Sequence, residues 1–157
     1  MASTRPEPGT PERLPLNPRL EFMRLLWAVD HALQSASKRL ESRAGVTGPQ
    51  RLVLRIVGCF PDISAGELAE VLVTHPSTLS GVLKRLETRG YVERKPDPND
   101  ARRAQLKLTK KGRSIDHLRA GTVESAIQRL LARSSEPDIA AAGRVLQALA
   151  AELEPRR

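Results

Sequence analysis

Apolar residues recur at helical spacing along most of this chain, in runs punctuated by proline, glycine and small polar residues. Asn17-Pro18 makes a helix start, with Asn17 as N-cap and Pro18 in the first turn. The helix is predicted to run to about Ala44, with Gly45 as its stop. At 1.5 Å per residue it would be about 40 Å long. Leu20, Met23, Leu26, Trp27, Val29 and Leu33 form a broad apolar face on it. That length exceeds what a small core requires, so part of the helix is expected to meet a partner chain. Residues 1–16 carry Pro6, Pro8, Pro11 and Pro15 with few apolar side chains, the composition of a disordered arm.

Thr47-Gly48-Pro49-Gln50 reads as a capping box and opens a second helix through Leu52, Leu54, Ile56 and Val57, ending near Phe60-Pro61. Ser64-Ala65-Gly66-Glu67 is a second capping box before a short helix bearing Leu68, Ala69 and Leu72. Val73-Thr74-His75 is the turn, and Pro76 starts the next helix, which Gly90 ends. The period then changes from helical to alternating. Strands are predicted at residues 91–95 and 105–109, joined through the turn-rich Pro96-Asp97-Pro98-Asn99-Asp100. Two helical segments follow. The first carries Ile115, Leu118, Val123, Ile127, Leu130 and Leu131; the second is capped at Ser135 and carries Ile139, Ala142, Leu146, Leu149 and Leu153. The elements are mainly α with a small two-stranded hairpin, and there is no internal repeat.

Charge distribution points to a partner. The 157 residues carry a net charge of +8. Residues 84–113 hold eleven basic and four acidic residues, whereas the segments on either side are close to neutral. A solubility charge would be spread along the chain; a polyanion-binding surface is concentrated in this way. Aromatics make up 3% of residues, and the basic stretch contains only Tyr91. Single-strand and RNA binders use aromatic stacking platforms, so duplex DNA is the better-suited partner. One cysteine, Cys59, excludes an intrachain disulfide. With no apolar run long enough to span a bilayer and no apolar signal core, a cytoplasmic protein without a membrane partner is expected.

On a helical wheel, Leu79, Val82, Leu83 and Leu86 cluster within about 100°. Ser77, Gly81, Lys84 and Thr88 lie opposite, flanked by Thr78 and Arg85 on one side and Ser80 on the other. Small residues near a helix start permit close approach to base edges, and lysine and arginine further along reach guanine or phosphate. Alone, this pattern also fits an amphipathic helix with a solvated face. The preceding short helix, the tight turn and the basic hairpin favour the groove-reading role. In the hairpin tip, Arg102 and Arg103 suit a narrow minor groove. Asp100 suits an intramolecular bond that holds the Arg102 guanidinium.

Residues 64–112 resemble the DNA-binding core of the MarR family of regulators. The resemblance rests on Glu67-Leu68-Ala69, Ser77-Thr78-Leu79-Ser80, Leu83-Lys84-Arg85-Leu86-Glu87, Gly90-Tyr91-Val92-Glu93-Arg94, Asp100-Ala101-Arg102-Arg103 and Leu106-Lys107-Leu108-Thr109-Lys110-Lys111-Gly112, in that order. It extends over about residues 17–154. It implies a winged helix-turn-helix core flanked by N- and C-terminal dimerisation helices. The expected division is an arm (1–16), a dimerisation helix (17–45), a DNA-binding domain (46–112) and C-terminal dimerisation helices (113–154). It further implies that Ser77, Thr78, Ser80, Gly81, Lys84 and Arg85 face the major groove or backbone. Arg102, positioned by Asp100, would be the wing-tip arginine, with Arg94, Arg103 and Lys107 in support. A homodimer would bind a pseudo-palindromic site with half-sites about 10 bp apart.

Many members of that family release DNA in response to a small ligand, an oxidant or a metal. By analogy, Trp27, His31, Arg51 and His117 would line a small-molecule effector pocket, although core packing of Trp27 and surface solvation of the other three account for each of them better than a ligand role does. Cys59, on an apolar helix end, is expected to pack in the core; a redox-sensing regulator using it is the alternative. His31, His75 and His117 show no ligand clustering, so neither metal nor cofactor is expected. An enzyme would need a nucleophile with its base, paired carboxylates or a phosphate loop, and no such set is present. An architectural DNA-binding protein with low sequence specificity remains the other competing reading.

Overall fold

The computed structural model describes residues 15–97 and 104–153 of the chain. In order, its elements are α1 (Pro18–Ala44), α2 (Gly48–Cys59), α3 (Ala65–Val71), α4 (Pro76–Thr88), β1 (Val92–Pro96), β2 (Ala104–Leu108), α5 (Lys110–Asp116), α6 (Val123–Leu131) and α7 (Glu136–Leu153). Chain packing divides it into residues 1–32 and 33–157, a boundary that falls within α1.

Each helix start has a local cause. Asn17 Oδ1 accepts from Leu20 N–H at 3.0 Å. Both capping boxes close: Thr47 with Gln50, and Ser64 with Glu67. Gly45 ends α1 at φ +72, a left-handed conformation that favours glycine, and its N–H reaches the Glu41 carbonyl at 2.8 Å.

The core lies largely between residues 46 and 108. Val46, Leu54, Val57, Leu68, Leu83, Leu86 and Leu106 are fully buried. β1 and β2 pair antiparallel with Val92 opposite Leu108 and Arg94 opposite Leu106. Both strands sit one residue away from the ranges expected from alternation. A further pairing was not expected: Asp62 N–H donates to the Leu106 carbonyl and Leu106 N–H to the Ile63 carbonyl, so residues 62–64 run beside β2 as a short third edge.

The region after the wing differs from expectation. The first of the two expected C-terminal helices is two helices, α5 and α6, separated by residues 117–122. The break has a local origin. Gly121 takes φ +68, and Thr122 then caps α6 by accepting from Ser125 N–H at 3.2 Å. No residue of α6 or α7 is buried. Among the described residues, no helix is long and apolar enough to cross a membrane.

Candidate nucleic-acid interface

The helix-turn-helix is α3, the turn at residues 72–75, and α4. The turn is held by its backbone: Val73 N–H donates to Glu70 and Thr74 N–H to Ala69, both at 3.0 Å. Val73 adopts φ +48, an uncommon conformation for a β-branched residue, and its side chain is exposed. Leu79, Leu83 and Leu86 anchor α4 to the core, with Val82 half-buried beside them. That anchoring sets which face points outward.

Ser77, Thr78, Ser80, Gly81, Lys84 and Arg85 are all exposed. A side-chain carbon placed on Gly81 would meet nothing within 4 Å among the described residues outside its own helix backbone, so packing against them does not require glycine there. Mid-helix glycine costs about 1 kcal/mol relative to alanine, an uncompensated loss in the free molecule. Lys84 and Arg85 make no ion pair among the described residues. Thr88 is exposed too, and its hydroxyl donates to the Lys84 carbonyl at 2.8 Å.

His75 is the N-cap of α4, a role that its residue type did not signal. Its Nδ1 lies 3.2 Å from the Ser77 backbone nitrogen and 2.7 Å from Ser77 Oγ.

The wing's described residues are held by ion pairs. Arg94 bonds to Glu87 of α4 at 2.5 Å, Lys107 pairs with Asp62 at 2.8 Å, and Lys95 with Glu93 at 3.2 Å. Arg94 and Lys107 thus link the wing to α4 and to the segment before α3. The tip residues Asp100, Arg102 and Arg103 lie outside the described residues. At the wing's other end, Thr109 Oγ1 donates to the Gly90 carbonyl at 2.7 Å and accepts from Gly112 N–H at 3.0 Å. A side chain on Gly112 would collide with the Tyr91 carbonyl. This explains the Leu-Thr-Lys-Lys-Gly run: threonine ties the strand end to the end of α4, and glycine clears the crossing. Tyr91 is buried, with Lys111 Nζ 4.5 Å and the Arg89 guanidinium 5.2 Å from its ring centre. It packs under cations and offers no platform for an unstacked base.

The four candidate effector residues fall into different surroundings. Trp27 and His31 are exposed and stack with ring centres 5.5 Å apart. His117 is exposed at the end of α5 and lines a 510 Å³ groove with Val57, Pro61, Lys95, Lys107 and Arg113. Arg51 does not line that groove. Contrary to a solvated reading it is buried, at 2% exposure. Its guanidinium donates to the carbonyls of Ile115 and Leu118 and lies 3.0 Å from Glu124. Nearby, Arg55 bonds Asp116, and this hydrogen bond outweighs partial burial to raise the Arg55 pKa above its ordinary value. Trp27 is not core, and neither is Cys59: the expectation of a packed cysteine is corrected, because α2 turns its last residue to the exterior.

These features have close counterparts among known proteins. Residues 46–104 match the family model described as the MarR family. The chain is 30% identical over 128 residues to an HTH-type transcriptional repressor of Mycobacterium tuberculosis, covering 82% of this chain and 92% of the relative. It is 35% identical over 92 residues to the multiple antibiotic resistance protein MarR of Escherichia coli, covering 59% and 64% respectively. Its fold matches that of Streptococcus pneumoniae FabT, solved in complex with DNA, with a TM-score of 0.66 and 25% identity over 88% of this chain and 98% of that one. With the capped helix-turn-helix, the tied-down wing and these matches taken together, the chain belongs to the MarR family of winged helix-turn-helix transcriptional regulators.

Proposed function

We propose that this regulator is a sequence-specific duplex-DNA-binding repressor. It acts as a homodimer on a pseudo-palindromic operator in the cytoplasm and is released by a small-molecule effector. The observation that carries the reading is the outward face of α4. Three hydroxyl residues and an unconstrained glycine precede two cations that make no ion pair among the described residues, on a helix whose opposite face is fixed in the core. The small residues allow the helix axis to come close to base edges, and Lys84 and Arg85 then reach guanine or phosphate. Arg102, held by Asp100, is assigned to the adjoining minor groove, with Arg94, Arg103 and Lys107 in support.

The repressor assignment is supported by the Mycobacterium tuberculosis relative, which is described as a repressor. Duplex binding is supported by the FabT complex with DNA. Dimerisation is supported by exposed apolar side chains on α6 and α7, including Ile127, Leu130, Val145 and Leu146, and on α1, including Met23 and Val29. Exposed apolar surface on this scale marks a contact area. For the effector, the exposed rings of Trp27, His31 and His117 are available contacts, whereas the Arg51 guanidinium is already engaged by protein carbonyls.

Selection of bound sequences from a random duplex pool tests the reading. The expected result is a two-fold symmetric motif with half-site centres about 10 bp apart. It should be preferred over random duplex by roughly 10³-fold or more. Equal affinity for all duplexes would replace the repressor with an architectural protein.

A further inference from the structure

The cap of α4 constrains what Ser77 can read. A backbone N–H can only donate. The Ser77 N–H is directed at His75 Nδ1 at 3.2 Å, so that nitrogen carries the lone pair and the ring proton resides on Nε2. Ser77 Oγ lies 2.7 Å from the same Nδ1. With Nδ1 an acceptor, the hydroxyl must be the donor in that contact. A serine hydroxyl has one proton and two lone pairs. The hydroxyl keeps its proton but directs it at the Nδ1 lone pair, which it shares with the Ser77 N–H, so only its own lone pairs face the exterior.

We infer that His75 is a specificity-determining positioning residue: by holding the hydroxyl proton of Ser77 toward itself, it makes Ser77 a pure acceptor toward DNA. An acceptor at a major-groove edge pairs with the exocyclic amine of adenine or cytosine, and it is repelled by guanine O6 and thymine O4. It is equally repelled by phosphate oxygens. Ser77 is therefore a base reader rather than a backbone contact, and it selects an amine at one symmetric position in each half-site. This deepens the proposed function and rests on α4 entering the groove. Thr88 shows the same effect in a different setting, with its hydroxyl proton already directed at the Lys84 carbonyl.

Two measurements on the intact protein test the inference. The first is the ¹⁵N signature of the His75 ring at neutral pH without DNA. An unprotonated Nδ1 and a protonated Nε2 are expected, and a protonated Nδ1 overturns the inference. The second is duplex selection with the wild type, His75→Asn, His75→Ala and Ser77→Ala. Asparagine places Oδ1 where histidine places Nδ1 and can accept both bonds, so His75→Asn should retain adenine or cytosine at the Ser77 position. His75→Ala frees the hydroxyl proton. It should lose that preference while the rest of the motif persists, with overall affinity down about fivefold from loss of the cap. Ser77→Ala should lose the same position. A His75→Ala motif identical to the wild type overturns the inference while leaving the DNA-reading role intact. Failure of the wild type to select any motif refutes the underlying function instead.

Discussion

Residues 46–108 and the helices α6 and α7 are comparably rich in leucine, yet they use it in opposite ways. In the first region Leu54, Leu68, Leu83, Leu86 and Leu106 are removed from solvent by their own chain. In the second, Leu130, Leu131, Leu146 and Leu153 are exposed, and no residue of either helix is buried. An apolar stripe predicts that a helix will be covered, without saying by what. The winged-helix region supplies its own cover through several elements that cross one another. The C-terminal helices lack such cover among the described residues, and theirs is the apolar area that the proposed homodimer would cover.

The contrast makes the sharpest prediction a paired one. Leu83→Ala, in the fully buried cluster, should lower unfolding free energy by about 2–5 kcal/mol at any protein concentration. Leu146→Ala should act through association instead. Its melting temperature should lose the concentration dependence that a dimer confers, and its sedimentation should shift toward monomer. A Leu146→Ala variant that remains a dimer and melts like the wild type would break the comparison.

Arg51 marks where the two regions are joined, because it ties α2 to the end of α5 and the first turn of α6. Replacing it with leucine leaves the Ile115 and Leu118 carbonyls without their donor. The expected cost is about 1–3 kcal/mol in denaturant unfolding. A change within about 0.5 kcal/mol, typical of surface substitutions, would show that the buried arginine is dispensable.

Smaller in energy is Lys84→Ala. It should leave the melting temperature unchanged, since Lys84 makes no ion pair among the described residues, and weaken operator binding by about 1 kcal/mol or more. Titration of a selected duplex at two salt concentrations would show whether the lost contact is to phosphate or base. A reduced salt slope indicates phosphate.

Much of this fold could be read from local chemistry. The capping boxes at Thr47 and Ser64, the stop at Gly45 and the stripe on α4 are short-range signals, and each produced the expected element. The misses involve residues far apart in sequence or residue types with weak local preference. The pairing of Ile63 with Leu106 spans the whole helix-turn-helix and leaves no periodic trace. The break between α5 and α6 depends on one glycine and one threonine within a segment whose apolar residues keep helical spacing. Arg51 looked like a surface residue because its partners are carbonyls more than sixty positions away. His75 is outside the usual N-cap set of serine, threonine, aspartate and asparagine, so its cap was visible only in the geometry. The outward residues of α4 were legible because a stripe of buried leucines, Leu79, Leu83 and Leu86, determines the orientation of the rest.

On the proposed function, the outward face of α4 is shaped for a groove rather than for its own fold, and Gly81→Ala separates the two. Among the described residues, nothing outside the helix's own backbone lies within 4 Å of the added carbon, and the helix gains intrinsic propensity. The free variant should be more stable by about 0.5–1 kcal/mol, with operator affinity falling because the methyl group holds the helix off the bases. A variant that is stabilised and binds the selected duplex as tightly as the wild type would contradict it.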